Sequence, residues 1–412
     1  MKNKVRLAYL VSHPIQYQTP LLRRIAQEPD IDLTVLFGSD FSAKGYQDEG
    51  FGVDVKWDVP LLEGYLYRFL PAIRDNATVS FARPLNYGIV SHLRRVSAGN
   101  SSQRSGSGFD ALWVHGYATA NALHGILAAK TLGIPVLLRA ESWLRDRPRG
   151  GVKLACKQLF FDGLKDFVNA VMPIGTLNAA YWRHYMPDVP QSLMPYAVDN
   201  SYFQQRSVEA QGKRAELQAE LQVDPSRPVI LFASKLQNRK RCGDLLEAYL
   251  RLCPAPGMEP HPYLVIVGDG EERAALERQA AESGLGSIRF CGFRNQSELP
   301  RFFDLATVFV LPSRHEPWGL IVNEVMNAGR AVLVSDDVGC AQDLVRDGIE
   351  GCVFPAGDVA ALTAALQRVL TTPETAAAMG KRGLERIRTW DFEEDIRGLR
   401  QALALVTGKI RA

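Results

Sequence analysis

The sequence predicts an α/β fold of two doubly wound domains, each a parallel sheet covered by helices, facing a central cleft. Three observations support this prediction. Short apolar runs alternate with amphipathic helical stretches along the chain, which is typical of parallel sheets with helical crossovers. The length of 412 residues favours two domains over one. A polar, mostly helical segment at 204–227 separates two such sets of strands. Ligands of this fold bind at the carboxyl ends of the strands.

The predicted elements follow the chain in order. Strands are expected in the first half at 5–11, 33–37, 111–114, 136–138 and 170–174, with helices at 20–27, 120–132 and 154–164. Strands are expected in the second half at 229–233, 263–267, 288–291, 308–311 and 331–334, with a helix at 243–252. Apolar residues at helical spacing predict a last helix over 390–406. We therefore expect an N-terminal, acceptor-side domain at 1–203, a C-terminal domain at 204–389, and a segment at 390–412 that packs back on the domains.

Composition narrows the possible functions. The net charge of +3 is too small to indicate nucleic-acid binding. No apolar run approaches the roughly 20 residues of a membrane-spanning helix. The basic, then apolar start is interpreted as a first strand, because the apolar run is short and no cleavage site follows it. Six cysteines form no CxxC pair, so neither a metal site nor a disulfide framework is expected, and a cytoplasmic location is predicted.

The stretch 311–324 carries the strongest functional pattern. An apolar strand ends at Pro312, a short loop contains Glu316, and a helix begins near Gly319. Glu324 lies one helical turn beyond Leu320, on the same face. Unpaired backbone N–H groups and the helix dipole attract an anion at such a helix start, and glycine lets a phosphate approach closely. The alternative interpretation is a surface loop whose glutamates only favour the helix N-terminus.

Two lysines follow the first strand of the second half. Lys235 comes directly after the strand and Lys240 five residues later, where cations are well placed to neutralise a diphosphate. The alternative is an ordinary solvated basic loop. The sequence Val-Gly-Asp-Gly at 267–270 is similar to part of a dinucleotide fingerprint but lacks its third glycine, so it is a weak indication of NAD binding.

Taken in order, these motifs resemble the retaining GT-B glycosyltransferases of glycosyltransferase family 4. The resemblance covers about residues 229–375 and includes Cys-Gly-Phe-Arg at 291–294. It implies a nucleotide-sugar donor bound mainly by the second domain. By position, Glu324 would hold the ribose and Glu316 the donor sugar. The remaining expected donor contacts are Gly319 and Leu320 to the phosphates through their backbone, Lys240 to a phosphate, Phe293 and Arg294 to the base, and Lys235 in the place of a usual arginine.

The first half is similar to the family only at scattered positions. His115, at a strand end, resembles the histidine that reaches the transferred sugar; the alternative is a structural histidine. His13, Gln16 and Tyr17 follow the first strand, where the family often has a glycine-rich loop, and are expected to face the cleft. Glu141 is expected either to bind the acceptor or to pair with Arg139. The segment 196–199 resembles the end of the family's first domain.

The resemblance implies transfer of a sugar from a UDP- or GDP-type donor to an acceptor hydroxyl with retention, in cell-surface polysaccharide or glycoconjugate synthesis. His115, Glu316 and Lys240 are the expected catalytic residues. No cofactor or metal is expected, because lysines and a helix start can stabilise the leaving diphosphate. The acceptor could be a sugar, a lipid-linked molecule or a protein. Alternatives are a GT-B sugar-nucleotide epimerase or phosphorylase, a glycosidase using Glu316 and Glu324, and a non-catalytic nucleotide-sugar-binding module.

A basic patch suggests a peripheral contact with the inner face of a membrane. It consists of Arg145, Arg147, Arg149, Lys153 and Lys157, with Phe160 and Phe161 nearby. Such a patch can contact a phospholipid or a lipid-diphosphate acceptor. The alternative is a solvated face.

Overall fold

The computed structural model describes residues 4–48, 50–73, 78–94, 108–252 and 261–410. These residues form two compact units. The first comprises Met1–Tyr46, Val59–Tyr196 and Phe392–Ala412, and the second comprises Gln47–Asp58 and Ala197–Asp391. The chain therefore passes between the units four times.

The described residues contain fourteen strands. In chain order they are β1 (Val5–Val11), β2 (Ile31–Phe37), β3 (Tyr46–Asp48), β4 (Val53–Val55), β5 (Leu66–Phe69), β6 (Ala111–His115), β7 (Val136–Arg139), β8 (Ala170–Val171), β9 (Val229–Ala233), β10 (Tyr263–Val267), β11 (Ile288–Phe290), β12 (Val308–Leu311), β13 (Ala331–Ser335) and β14 (Gly351–Phe354).

The described helices number sixteen, apart from short 3-10 turns. They are α1 (Thr19–Ala26), α2 (Phe41–Lys44), α3 (Ile89–Arg94), α4 (Ala120–Thr131), α5 (Gly151–Leu164), α6 (Thr176–Tyr185), α7 (Asn200–Gln211), α8 (Arg214–Leu221), α9 (Cys242–Leu252), α10 (Arg273–Glu282), α11 (Leu299–Leu305), α12 (Leu320–Asn327), α13 (Ala341–Leu344), α14 (Val359–Leu370), α15 (Pro373–Ile387) and α16 (Phe392–Thr407). None of these described helices is both long enough and apolar enough to cross a bilayer.

The first unit is built on a parallel six-stranded sheet with the order β5-β2-β1-β6-β7-β8. Its central strands are buried on both faces, and β1 shows how the two sides are filled. Ala8 and Leu10 belong to one core cluster, whereas Leu7 and Tyr9 belong to the other. This alternation is the period of two that a strand imposes on its side chains.

The second unit repeats the plan with the order β11-β10-β9-β12-β13-β14, and each described pairing is parallel. All five residues of β9 and all four of β12 are buried, as expected for strands with helices on both faces. Because β9 and β12 are neighbours, the loops that follow them meet at one edge of the sheet. The predicted α/β class of two doubly wound sheets is confirmed.

Two parts of the chain lie elsewhere than the predicted domain ranges place them. Residue 203 lies inside α7, which packs on α11 and α12 of the second unit, so the passage between units falls earlier, after Tyr196. The segment Gln47–Asp58, predicted as part of the first domain, belongs to the second unit. The last helix, α16, packs on α1, β6 and β8 of the first unit.

Candidate functional site

The loop after β12 is held in an unusual backbone conformation. His315 has φ +54°, which is uncommon for a residue with a side chain and marks local strain. The Glu316 N–H donates to the Asp337 carbonyl (3.1 Å), and the Gly339 N–H donates to the Glu316 carbonyl (3.0 Å). A Cβ at Gly339 would lie 2.0 Å from the Pro317 carbonyl oxygen, so only glycine permits this approach. The backbone at Glu316 is thus held in place by these contacts.

Glu316 lies beside two cations from the loop after β9. The Lys240 ammonium donates a hydrogen bond to Glu316 Oε2, and Arg239 Nη1 lies 3.5 Å from the same oxygen. Lys240 and Glu316 are both buried. Desolvation lowers the pKa of Lys240, although Glu316 acts in the opposite direction. Two predicted catalytic residues, 76 positions apart, therefore form one buried ion pair.

The helix after this loop begins at the predicted position. Gly319 is the N-cap of α12 with φ +91°, and an added Cβ would meet Leu311 at 3.0 Å and Val338 at 3.1 Å. Leu320 begins the helix. Glu324 lies one turn later, and within the described part of the chain its carboxylate has no hydrogen bond or ion pair. Desolvation raises the pKa of Glu324 to about 8. An unpartnered acceptor at a helix start is suited to bind a ligand hydroxyl.

Lys235 pairs with a carboxylate that was not predicted. Its Nζ lies 2.6 Å from Asp48 Oδ1 and 4.7 Å from the centre of the Phe51 ring. Lys235 also lies close enough to Lys240 to lower the pKa of that lysine. The two lysines therefore create one locus of positive charge at the edge of the second sheet.

The two residues predicted to bind the base, Phe293 and Arg294, have different partners in the structure. Phe293 packs edge-on against Phe51, with ring centres 4.8 Å apart. Arg294 instead donates to the Cys291 carbonyl (3.1 Å) and to Glu298 (3.3 Å), and its guanidinium lies 5.7 Å from the Phe302 ring. Phe293 is thus available as an apolar platform, whereas the charge of Arg294 is already satisfied within the protein.

The glycines of the 267–270 motif serve close packing between loops. A Cβ at Gly268 would lie 1.9 Å from the Ser234 carbonyl oxygen, and one at Gly270 would lie 2.6 Å from the Leu236 carbonyl oxygen. Both residues have positive φ angles. This contact fixes the loop that carries Lys235, which explains the motif without a dinucleotide.

The first unit gathers polar side chains around His115 at the end of β6. Gln18 Nε2 lies 3.1 Å from His115 Nε2, and the same ring nitrogen lies 3.6 Å from Glu141 Oε1. Glu141 accepts hydrogen bonds from Tyr17 (2.9 Å) and Tyr196. Desolvation acts to raise the pKa of Glu141, but the nearby His115 imidazole and the hydrogen bonds from Tyr196 and Tyr17 outweigh it and lower the pKa to about 2. The cluster keeps a carboxylate charged beside the imidazole.

The other predicted residues of the first unit lie in the same region. His13 Nδ1 lies at hydrogen-bonding distance from Ser12 Oγ (2.9 Å), and the His13 ring packs on Phe41. Desolvation, together with the charge of His115, lowers the pKa of His13 to about 4, so the ring is neutral near pH 7. Gln16 is half-buried in the loop after β1.

Arg139 is not the partner of Glu141 that one alternative proposed. Its guanidinium is buried and donates to the Met194 and Pro195 carbonyls and to Asp395 of α16 (3.1 Å). Glu141 therefore remains a candidate ligand-binding residue. Over the described ranges, no cluster of three or more His, Cys, Asp or Glu side chains is placed to hold a metal ion.

Residues 213–386 match the family model described as glycosyl transferases group 1. The match lies within the second unit. This match runs from α8 into α15, the region that holds Lys235, Lys240, Glu316 and Glu324.

Curated relatives cover parts of the chain. The lipopolysaccharide core biosynthesis glycosyltransferase LpsE of Rhizobium meliloti is 31% identical over 170 residues, which are 41% of this chain and 47% of that protein. The chain thus matches about half the length of that relative. The alpha-maltose-1-phosphate synthase of Mycobacterium tuberculosis is 28% identical over 294 residues, which are 66% of this chain and 73% of that protein.

The fold is shared over nearly the whole chain with solved structures. HepE from Anabaena, in complex with UDP and glucose, superposes with a TM-score of 0.70, covering 97% of this chain and 99% of that one at 16% identity. The GT-B class is therefore confirmed.

Several residues of the candidate site were not among the predicted ones. Asp48 and Phe51 lie in Gln47–Asp58, which carries no recognisable motif. Gln18 is the buried N-cap residue of α1, and its side chain contacts His115. Arg239 directly precedes Lys240 in a basic run, and that run is the one sequence signal that could have identified any of these residues.

Proposed function

We propose that this protein transfers a sugar from a nucleoside diphosphate sugar, of the UDP or GDP type, to an acceptor hydroxyl with retention of configuration. The observation that carries the proposal is the convergence of Lys240, Glu316 and the glycine-capped start of α12 at one edge of the second sheet. A glycosidase would need carboxylates but not this locus of positive charge. The domain match and the HepE complex with UDP and glucose support a nucleotide-sugar donor.

The proposed donor contacts follow from charge and position. Lys240, Lys235 and the backbone at Gly319 and Leu320 stabilise the diphosphate, whose negative charge grows as the glycosidic bond breaks. Glu324 accepts hydrogen bonds from the ribose hydroxyls. Phe293 supplies an apolar surface for the base, and Arg294 acts there only if its present contacts exchange.

Further roles are proposed for residues directed at the donor sugar and at the acceptor. Glu316, which accepts a hydrogen bond from Lys240, is proposed to accept another from a hydroxyl of the donor sugar. His115 is proposed to contact the transferred sugar. His13, Gln16 and Glu141 are proposed to bind the acceptor, because they lie with His115 at the carboxyl ends of the first sheet's strands. Retention by front-face attack is proposed from the resemblance to family 4.

The acceptor is proposed to belong to cell-surface polysaccharide or glycoconjugate synthesis. The similarity to LpsE, which acts in lipopolysaccharide core biosynthesis, supports this class. The remaining alternatives, a GT-B epimerase or phosphorylase and a non-catalytic binding module, differ in their turnover. The first would react without an acceptor or with free phosphate, and the second would bind donor without reacting.

A panel of nucleotide sugars and nucleoside diphosphates tests the proposal. Binding of the right donor stabilises the folded state by mass action, so its thermal shift should exceed that of the other panel members. Mixing that donor with candidate acceptors should then release nucleoside diphosphate, and excess EDTA should leave the rate unchanged because the leaving group is neutralised by lysines. Lack of a thermal shift with every donor would overturn the proposal.

Replacing Glu324 by glutamine should weaken nucleoside diphosphate binding about tenfold or more, because a hydrogen bond to a charged group is worth roughly 1.5–3 kcal/mol. The free carboxylate has a pKa of about 8, and accepting ribose hydroxyls favours its charged form. The bound pKa is therefore lower than the free one. Wild-type affinity should rise with pH up to about 8 and level off above it, with proton release on binding below that pH.

Calorimetry in two buffers of different ionisation enthalpy measures both the affinity and the proton release. Glu282→Gln, an exposed site in α10, is the matched control for the loss of charge. Equal affinity and an equal pH dependence in Glu324→Gln and wild type would remove Glu324 from the site.

A peripheral membrane contact is proposed for the exposed face of α5. Val152, Cys156, Leu159 and Gly163 recur at steps of three or four residues and share one side of the helix. Val152 is 80% exposed and Leu159 74% exposed. Beside this face lies a groove of about 340 Å³ lined by Leu123, Ile126, Leu127, Phe160, Gly163, Leu164 and Phe167.

Charge favours an anionic lipid surface as the occupant of this face. Lys153, Arg145 and Arg147 are exposed at and before the start of α5. Helices with an apolar face and basic flanks insert shallowly into anionic bilayers. A second copy of the chain is less favourable, because a symmetric contact would bring like charges together.

Leu159→Asp should reduce binding to vesicles of anionic phospholipid by about tenfold or more, since burying a leucine is worth roughly 1.5–3 kcal/mol. Leu405→Asp, at a 56% exposed leucine in α16 of the same unit, should bind as wild type. Vesicle co-sedimentation at low and physiological salt measures the effect. Concentration-dependent dimerisation that Leu159→Asp abolishes, without vesicle binding, would contradict the membrane contact.

A further inference from the structure

Residues Gln47–Asp58 contact the proposed donor site although the chain reaches the rest of the second unit only at residue 197. Strands β3 and β4 form a separate two-stranded sheet. Asn295 Nδ2 donates to the Lys56 carbonyl (2.7 Å), and the Ser297 side chain donates to Asp58. These contacts join the segment to the loop that follows Phe293.

The carboxylate of Asp48 is directed at Lys235. Besides the 2.6 Å ion pair, Asp48 Oδ1 accepts from the Gly50 N–H (2.8 Å) and the Phe51 N–H (3.0 Å). The Asp48 side chain is 11% exposed. Desolvation acts to raise the pKa of Asp48, but Lys235 and the two backbone donors outweigh it and lower the pKa. The group is therefore a charged carboxylate at neutral pH.

The same segment covers the apolar part of the proposed site. Phe51 lies edge-on to Phe293, and Lys235 Nζ lies over the Phe51 ring. The backbone packs tightly as well: a Cβ at Gly50 would lie 2.7 Å from Lys235 Cδ, and a Cβ at Gly270 would lie 3.0 Å from the Gly50 carbonyl oxygen. The residues assigned to the phosphate and to the base are thus both in contact with Gln47–Asp58.

We propose that Asp48 is a built-in competitor of the donor diphosphate: it occupies Lys235 in the free protein and must yield that cation when the donor binds. The inference rests on the proposed function, since it assigns Lys235 to the diphosphate. A diphosphate placed at Lys235 would lie next to the Asp48 carboxylate, and two anions at such a distance repel each other. Binding therefore proceeds with separation of Asp48 from Lys235.

This competition would make the site selective. A ligand gains the full benefit of Lys235 only if its own charge replaces that of Asp48, which favours diphosphates over singly charged or neutral compounds. Displacement of Asp48 also shifts Phe51, its neighbour in the turn, and so exposes more of Phe293 to the base. Asp48 is in this sense a specificity-determining residue that need not touch the bound donor.

The variant Asp48→Asn shows whether Asp48 competes with the donor diphosphate for Lys235 or supports donor binding. Asparagine keeps the side-chain oxygen that accepts from Gly50 and Phe51, so the turn is retained, but it removes the charge. We expect UDP or GDP, whichever binds wild type, to bind Asp48→Asn about tenfold tighter, the scale of one charge-assisted hydrogen bond. Asp54→Asn, at an exposed position of β4, controls for the same change in net charge.

A double-mutant cycle with Lys235→Met isolates the pair. In that background Asp48→Asn should no longer change nucleotide affinity, because the cation for which Asp48 competes is gone. Melting temperatures of all variants establish that each is folded under the assay conditions.

The outcomes are distinct. Weaker or unchanged binding by folded Asp48→Asn would overturn the competition and assign Asp48 a supporting role, while leaving the proposed donor intact. Absence of nucleoside diphosphate binding in wild type would overturn the proposed function, and the competition with it. Equal tightening by Asp54→Asn would reduce the effect to net charge and also overturn the competition.

Discussion

Replacing Lys240 by methionine is expected to lower kcat/KM for sugar transfer by a factor of about 10²–10³. Removal of one preorganised group that stabilises developing negative charge costs on this scale. Lys240 is buried and bonded to Glu316, so its charge acts in a site with little solvent screening. Methionine preserves most of the length of the side chain but cannot neutralise a phosphate. Nucleoside diphosphate affinity should fall as well, because the product carries the same phosphates.

Two controls make this result interpretable. Lys381→Met, at an exposed position in α15, removes the same charge elsewhere in the second unit and should leave kcat/KM unchanged. In Lys240→Met, the Glu316 carboxylate still has Arg239 as a nearby cation, at 3.5 Å. The double variant that combines Lys240→Met with Glu316→Gln removes this carboxylate as well. If that double variant regained stability and full activity, Lys240 would serve only to neutralise Glu316.

Replacing His115 by alanine is expected to lower kcat by roughly a hundredfold or more while nucleoside diphosphate affinity is retained. The nucleotide contacts proposed here come from the second unit, whereas His115 belongs to the first. An interaction made mainly in the transition state affects kcat more than binding. Steady-state kinetics and calorimetry on one preparation measure the two quantities.

A structural role for His115 would give a different pattern. Loss of its contacts with Gln18 and Glu141 would lower the melting temperature but leave kcat per folded molecule unchanged. His184→Ala, at an exposed histidine of α6, is the control for truncation of an imidazole in the same unit. Normal kcat in stably folded His115→Ala would exclude His115 from catalysis.

Much of the fold was predictable because a buried parallel strand is a short run of apolar residues, which can be identified in the sequence itself. Strands β1, β9, β10 and β12 have the predicted bounds, since β9, β10 and β12 are uninterrupted apolar runs and β1 is interrupted only by Arg6. Strand β5 was missed because three of its four residues are exposed, as at the edge of a sheet. Strand β14 begins with two small residues at Gly351 and Cys352, which gave no apolar run.

The site was predictable where the carboxyl-end rule applies. Lys240 follows β9 and Glu316 follows β12, and these strands are neighbours, so the rule places both side chains at one edge. Contacts that depend on tertiary packing left no local pattern. Asp48 and Lys235 are 187 positions apart, and Arg139 and Asp395 are 256 apart. No spacing argument connects residues of this kind.

The placement of α16 affects how this chain can be recombined with its relatives. Ile396, Leu399 and Leu403 fill one core cluster of the first unit, and Asp395 compensates the buried guanidinium of Arg139. A chimaera with a single crossover near residue 196 would supply the first unit with a foreign last helix, and a helix without an acid at the position of Asp395 would leave a buried cation without its counterion. Functional hybrids should therefore require a second crossover near residue 391, so that both ends of the chain come from one parent.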